Sequence, residues 1–232
     1  MSGTVYGIGV GPGDPELLTL KALRLIRACA VLAYPALEAG ESLARSIVAP
    51  YLVGLAPVEY PIRLPMTPDP APAQRVYDEA ARKLGGELAA GRDVAILCQG
   101  DPFFYGSFMY LFERLSERHR VEVVPGISSL TACAAALGAP LAGRDEVLTI
   151  IPAPLAEPEL AERLAATDAA AIIKLGRHFA KVRRVLDRLG LSGSCRYIER
   201  AMLPDQRVRT LPEIEADSVP YFAMILMRRE RR

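Results

Sequence analysis

The 232-residue chain has no tryptophan, two histidines, four cysteines and an aromatic share of only 6%. His119 and His178 have no neighbouring ligand residues, and no CxxC or HExxH spacing occurs. That excludes the zinc hydrolases and leads us to expect no resident metal. It also leaves little from which to assemble a Ser/His/Asp or Cys/His nucleophile. Cys29, Cys98, Cys133 and Cys195 are widely spaced, each in or beside an apolar segment, as reduced core thiols of a cytoplasmic protein are. Charge of one sign is missing too: 28 basic against 27 acidic residues leave a net +1. A nucleic-acid partner normally demands a basic surplus, so none is expected. No apolar run reaches the roughly 18 residues of a membrane span. Met1-Ser2-Gly3-Thr4 leads directly into a strand-like stretch, without the basic head or cleavage site of a secretory signal.

What is present is an apolar share of 51%, 24% charged residues, 18 glycines and 19 prolines. At a soft prior of roughly 150 residues per domain, the length allows one large domain or two small ones. Short apolar runs alternate with helical patterns almost throughout, which predicts an α/β fold. Strands are expected at 4–10, 29–34, 58–62, 93–98 and 121–124, then at 147–151, 169–174, 195–199 and 221–227. Helices are expected from Asp14-Pro15-Glu16 onward with a stripe of Leu17, Leu20 and Leu23 or Leu25, then over 43–52, 73–90, 103–118, 128–137, 158–166 and 179–189. Strand–helix alternation restarts at Pro125-Gly126. The expected division is therefore an N-terminal α/β lobe at 1–124 and a C-terminal α/β lobe at 125–232. Residues 63–72 form a proline-rich loop of the kind that often serves function.

The sharpest local feature is Gly7-Ile8-Gly9-Val10-Gly11-Pro12-Gly13-Asp14, between a strand and a helix. Glycine there allows positive φ and close backbone approach to a ligand. It does not fit the dinucleotide pattern GxGxxG, because the last glycine would fall on Pro12 or on Asp14. The second strand also ends in Ala33-Tyr34-Pro35, without an acid for ribose hydroxyls. A Walker loop is absent as well. Two further loops follow strand ends, Gln99-Gly100-Asp101-Pro102 and Pro125-Gly126-Ile127-Ser128-Ser129. In a parallel sheet, such loops gather at the carboxyl edge where ligands bind. Taken singly, Asp101 and Ser128 are more often helix caps than ligands; three such loops in this order are more specific.

Their order resembles that of the tetrapyrrole methylase family. The resemblance rests on GPGDPELLTLKA (11–22), GDPFFYG (100–106), VVPGISSLTA (123–132), GAPL (138–141), Lys174-Leu175-Gly176 and Pro220-Tyr221. It implies a two-lobed α/β methyltransferase, with S-adenosyl-L-methionine and a tetrapyrrole held in the cleft between the lobes, and a homodimer. Carried over by position, cofactor contacts are expected at Pro12, Gly100, Asp101, Phe104, Ser128, Ser129, Leu175 and Ala201. A carboxylate-edged macrocycle calls for cations, and Arg63, Arg144, Lys174, Arg200 and Arg207, with Met66, are the candidates. Asp14, Tyr34 and Asp101 are the polar groups nearest the expected cleft, and none is singled out as a base. Members acting on uroporphyrinogen III typically carry Asp after the second-strand Tyr, where this chain has Pro35. Another methylase of the family and a non-catalytic nucleotide-binding or sensor module are the alternative readings.

Overall fold

A computed structural model describes residues 2–38, 40–65 and 70–229, excluding the Pro70 side chain. Met66 therefore lies outside the described residues. The chain divides into two compact units, Met1–Ser128 and Ser129–Arg232.

The first unit is built on five strands: β1 (Thr4–Gly9), β2 (Val31–Leu37), β3 (Val58–Leu64), β4 (Val94–Cys98) and β5 (Arg120–Val124). Their order is β3-β2-β4-β1-β5, and every pairing is parallel. Helices cover both faces, which is why β4 reads as an unbroken apolar run and is buried throughout. On one face, α1 (Leu20–Ala28) and α2 (Leu43–Val48) pack Ala22, Leu25, Ile26, Ile47 and Val48 against Ile8, Leu32 and Leu97. On the other, α3 (Pro70–Ala89) and α4 (Phe108–Leu115) pack Tyr77, Leu84, Phe108 and Leu111 against Val31, Ala33 and Ile96. Strand residues thus alternate between two cores, as the pleat requires.

Two helix starts differ from expectation. The Asp14 carboxylate accepts the Glu16 N–H at 2.9 Å, but it caps only a 3-10 turn at Pro15–Leu17. Leu18 is extended (ψ 136°), and α1 begins after Thr19, whose hydroxyl accepts the Ala22 N–H at 3.1 Å. The rotation of the helix moves with its start: Leu20 is 86% exposed, while Ala22, Leu25 and Ile26 form the buried stripe. Similarly, the helix expected from Phe103 starts at Phe108. Residues 101–107 are spent on a capped loop in which Tyr105 is left-handed (φ 55°), a conformation no helix accepts.

The second unit carries β6 (Leu148–Pro152), β7 (Ala169–Ile173), β8 (Cys195–Glu199), β9 (Arg207–Arg209) and β10 (Ala223–Arg228) in the order β6-β7-β10-β8-β9. Here β6 and β7 are parallel, while β10 runs antiparallel to both β7 and β8. Helices α5 (Ser129–Leu137), α6 (Glu157–Ala165) and α7 (Phe179–Arg188) complete the unit. Leu160 and Leu164 of α6, and Phe179, Val182 and Leu186 of α7, meet Ile172, Tyr197 and Ile225 in its core. The short β9 has no apolar alternation to announce it, and it pairs only along one side of β8. No helix among the described residues is long and apolar enough to cross a membrane.

Candidate functional site

In the first unit the chain leaves β1 towards β2 by way of α1, and leaves β4 towards β5 by way of α4. Those two helices lie on opposite faces, so the neighbouring strands β1 and β4 send their connections opposite ways. Such a reversal opens a crevice at the carboxyl ends of the two strands, the usual ligand position in an open α/β sheet. The glycine loop follows β1 and the Gly100 loop follows β4, one on each side of it.

The three loops are fastened to one another. Gly11 and Gly100 form a two-bonded bridge, N–H to O=C at 3.3 and 2.7 Å. The Gln99 side-chain amide donates to the Pro12 carbonyl at 3.3 Å. Asp101 uses one carboxylate oxygen to accept the Phe103 N–H (2.9 Å) and the other to accept the Gly126 N–H (3.0 Å). It is both a local cap and the link to the loop after β5, which is why 125–128 stays with the first unit. A Cβ on Gly126 would stand 2.1 Å from the Gly100 carbonyl oxygen, and one on Gly9 would stand 2.5 Å from the Gly126 N. The glycines at Gly9 and Gly126 thus let loop approach loop, where the sequence suggested backbone approaching a ligand.

Around this crevice Pro12 and Gly100 are buried, Asp14, Asp101, Phe104 and Ser128 are half-buried, and Ser129 is exposed. Neither 7–14 nor 99–106 contains a lysine or arginine. The crevice therefore offers main-chain groups, two carboxylates and the Phe104–Tyr105 ring pair (5.1 Å between centroids). That chemistry suits a ligand carrying positive charge, attracted by carboxylates and aromatic faces, and opposes a pyrophosphate.

Elsewhere in the same sheet, β2 and β3 place Tyr34 and Glu59 on one face under α2. The Tyr34 hydroxyl donates to Glu59 Oε2 at 2.6 Å. Arg45 of α2 grips the same carboxylate with both arms of its fork, Nε to Oε2 at 3.0 Å and Nη2 to Oε1 at 2.9 Å. Burial, then the Glu59 hydrogen bond, raises the Tyr34 pKa above its ordinary value. The Arg45 guanidinium holds the Glu59 carboxyl below the usual carboxylate range against a smaller opposing effect of burial. Tyr34, Arg45 and Glu59 line a cavity of 400 Å³ together with Arg63 and Ser42. Arg63 donates from Nη1 to the Leu37 and Glu38 carbonyls at 3.2 and 3.3 Å. Sequence reasoning reached Tyr34 and Arg63 but missed Arg45 and Glu59. Their only signal is an acid near the start of the edge strand β3, and its partner depends on a register the sequence does not show.

In the second unit Leu175 is fully buried and Ala201 half-buried. Lys174 ends β7 and Arg200 ends β8; because β10 opposes both strands, they share one edge of the sheet. Arg200 donates its N–H to the Phe222 carbonyl (2.7 Å) and pairs with Asp205 at 3.0 Å. Arg144 precedes β6 and so lies at the opposite edge, and Arg207 is exposed on β9. The fold of the second unit does not gather these cations in one place. Arg144, Lys174 and Arg200 nonetheless share a rare trait, left-handed backbone with φ of 48°, 58° and 51°.

All of this defines an α/β protein with a ligand crevice at a parallel-sheet switch point. The model of the tetrapyrrole (corrin/porphyrin) methylases matches residues 4–216, and the chain belongs to that family. It is 41% identical over 237 residues to cobalamin biosynthesis protein CobIJ of Mycobacterium tuberculosis, across 99% of this chain. The chain spans about half that relative's length, 47%. It is 40% identical over 233 residues to a precorrin-2 C(20)-methyltransferase of Sinorhizobium sp, covering 97% of this chain and 95% of the other. Among solved structures, it superimposes with a TM-score of 0.69 and 26% identity on a uroporphyrin-III C-methyltransferase of Thermus thermophilus in complex with S-adenosylhomocysteine, covering 97% and 92% of the two chains.

Proposed function

We propose that this chain methylates precorrin-2 at the C-20 meso carbon, giving precorrin-3A in cobalamin biosynthesis, as a homodimer in the cytoplasm. The likeness to the Sinorhizobium enzyme along nearly the whole of both chains carries the choice of substrate. Segments Tyr34-Pro35-Ala36, Leu64-Pro65-Met66, 143–146 and 199–204 support the same branch of the family. The cation-free crevice carries the choice of cofactor. Its carboxylates and aromatic rings fit S-adenosylmethionine, which when bound supplies an electrophilic methyl group on a sulfonium.

The protein's own contribution is alignment and desolvation. Holding an attacking carbon and a methyl group in line can supply roughly 7–11 kcal/mol. The loop lattice is suited to that work, because Asp101, Gln99 and the Gly11–Gly100 bridge leave the crevice walls little freedom. On this reading Pro12, Gly100, Asp101, Phe104 and Ser128 of the first unit hold the cofactor, and Ser129, Leu175 and Ala201 are the second unit's own candidates for it. Arg63 is the first unit's candidate for substrate carboxylates. In the second unit Lys174 and Arg200, which share one sheet edge, are candidates, and Arg144 at the opposite edge is a separate one.

Calorimetry tests the cofactor: S-adenosylhomocysteine is expected to bind, and ATP and NAD are not. Binding of either nucleotide in place of S-adenosylhomocysteine would favour the non-catalytic module.

A further inference from the structure

Methylation of a meso carbon leaves that carbon carrying its original hydrogen beside the new methyl group, and conjugation through that carbon is restored only when the proton departs. The two carboxylates of the crevice loops are engaged in shaping the backbone. Both oxygens of Asp101 already accept backbone N–H groups, and Asp14 caps its turn. Pro35, at the position next to Tyr34, has no ionisable group.

The β2–β3 cavity holds a further candidate for that proton. At 400 Å³ it falls in the range of ligand pockets. Tyr34 of β2 lines it, with the hydroxyl proton directed to Glu59 at 2.6 Å. A phenol whose proton is so committed presents lone pairs on its remaining side, and so acts there as an acceptor. Behind it, Glu59 is fixed by the two-armed contact from Arg45, and the Glu59 side chain keeps 32% of its surface exposed to water. The charged and titratable groups around the cavity are Tyr34 of β2, Glu59 and Arg63 of β3, Arg45 of α2 and Glu41 just before α2.

We propose that Tyr34 and Glu59 form the proton path of the reaction, with Tyr34 the catalytic residue and Arg45 and Glu59 acting through it. The inference rests on the C-methyltransferase reading above. The C–H bond at the methylated carbon breaks and returns its electron pair to the macrocycle. Its proton passes to the Tyr34 oxygen as the Tyr34 proton passes to Glu59 Oε2. Glu59 then releases a proton to water and the starting state returns. The methylated adduct is a delocalised cation whose C–H is strongly acidic, so a weak base suffices. A carboxyl held low by Arg45 sheds its proton readily, which suits a path that must reset on every turnover.

Turnover of precorrin-2 by the unaltered protein is measured first; its absence overturns the reading of function, before any variant is considered. Given turnover, Tyr34→Phe is expected to lower kcat about a hundredfold, the low end of general acid–base catalysis. S-adenosylhomocysteine affinity and Tm should be unchanged. Glu59→Gln should lower kcat similarly, and the double variant should lose no more than either alone, because both break one path. Arg45→Gln frees the Glu59 carboxyl to rise. Since Glu59 must be ionised to receive the proton, the acid limb of the kcat profile should then move to higher pH. Tyr34→Phe turning over within about threefold of the unaltered protein would overturn the path. So would losses that multiply in the double variant. If Glu59→Gln fails to fold, Tyr34→Phe decides alone.

Discussion

Asp101 shows how much one side chain decides. Its two oxygens each accept a backbone N–H, one within its own loop and one from the loop after β5. Asp101→Asn turns one acceptor into a donor facing an N–H. A loss of about 1–3 kcal/mol of stability is expected by thermal denaturation. Cofactor affinity should fall only as far as the loops separate; affinity lost with stability unchanged would instead make Asp101 a direct ligand. Arg144 poses the opposite problem. It occupies the first central position of the turn 143–146, closed by the Glu146 N–H to the Gly143 carbonyl at 3.0 Å, with φ 48°. Glycine normally fills such a position, and a left-handed L-residue costs roughly 1–2 kcal/mol. The turn is clamped from below: Glu146 accepts the Gly143 N–H at 2.7 Å and both arms of Arg228 at 2.8 and 3.1 Å. Strain retained under a charged side chain points to use of that charge. Arg144→Gly should leave stability unchanged or slightly raised, and should weaken macrocycle binding about tenfold or more, the worth of a charge-assisted hydrogen bond. A destabilised variant with full affinity would contradict this. The four cysteines behave as their apolar neighbours suggest: all are free, and burial pushes each thiol up to about 12.

At the scale of elements, the switch between β1 and β4 is what makes a site, and close packing of the loops is what shapes it. Gly126→Ala would drive a methyl into the Gly100 carbonyl, backbone against backbone. A loss of about 1–3 kcal/mol is expected, the usual range for overpacking, with weaker binding of S-adenosylhomocysteine. Gly86→Ala is the matching control. It lies within α3 with open space around the new methyl, and should stabilise by about 0.5–1 kcal/mol. Equal behaviour of the two in denaturation would refute the loop lattice. Element type was largely legible because the apolar period changes cleanly from strand to helix, as at Val94–Cys98 and Phe179–Arg188. Helix starts were less so. Both Asp14 and Thr19 are cap residues, and only the turn of the chain at Leu18 decides which one opens α1. Strand direction and β9 were hidden for a related reason: pairing partners are set by contacts far along the chain, not by local pattern.

For the molecule as a whole, the near end-to-end likeness to family members agrees with the order of the glycine loops, the feature most readable in the sequence. The Tyr34–Glu59–Arg45 cluster was not readable, because its three members come from two strands and a helix whose register only the fold supplies. Pro35 gives the discriminating expectation: it stands where members acting on uroporphyrinogen III typically carry Asp, so uroporphyrinogen III should turn over far more slowly than precorrin-2. The most direct measurement supplies both macrocycles side by side, with S-adenosylmethionine labelled in its methyl group, and locates the label by NMR. The expected result is a single new methyl at C-20 of precorrin-2 and little product from uroporphyrinogen III. Label at another carbon of precorrin-2, or comparable rates on the two macrocycles, would contradict the assignment.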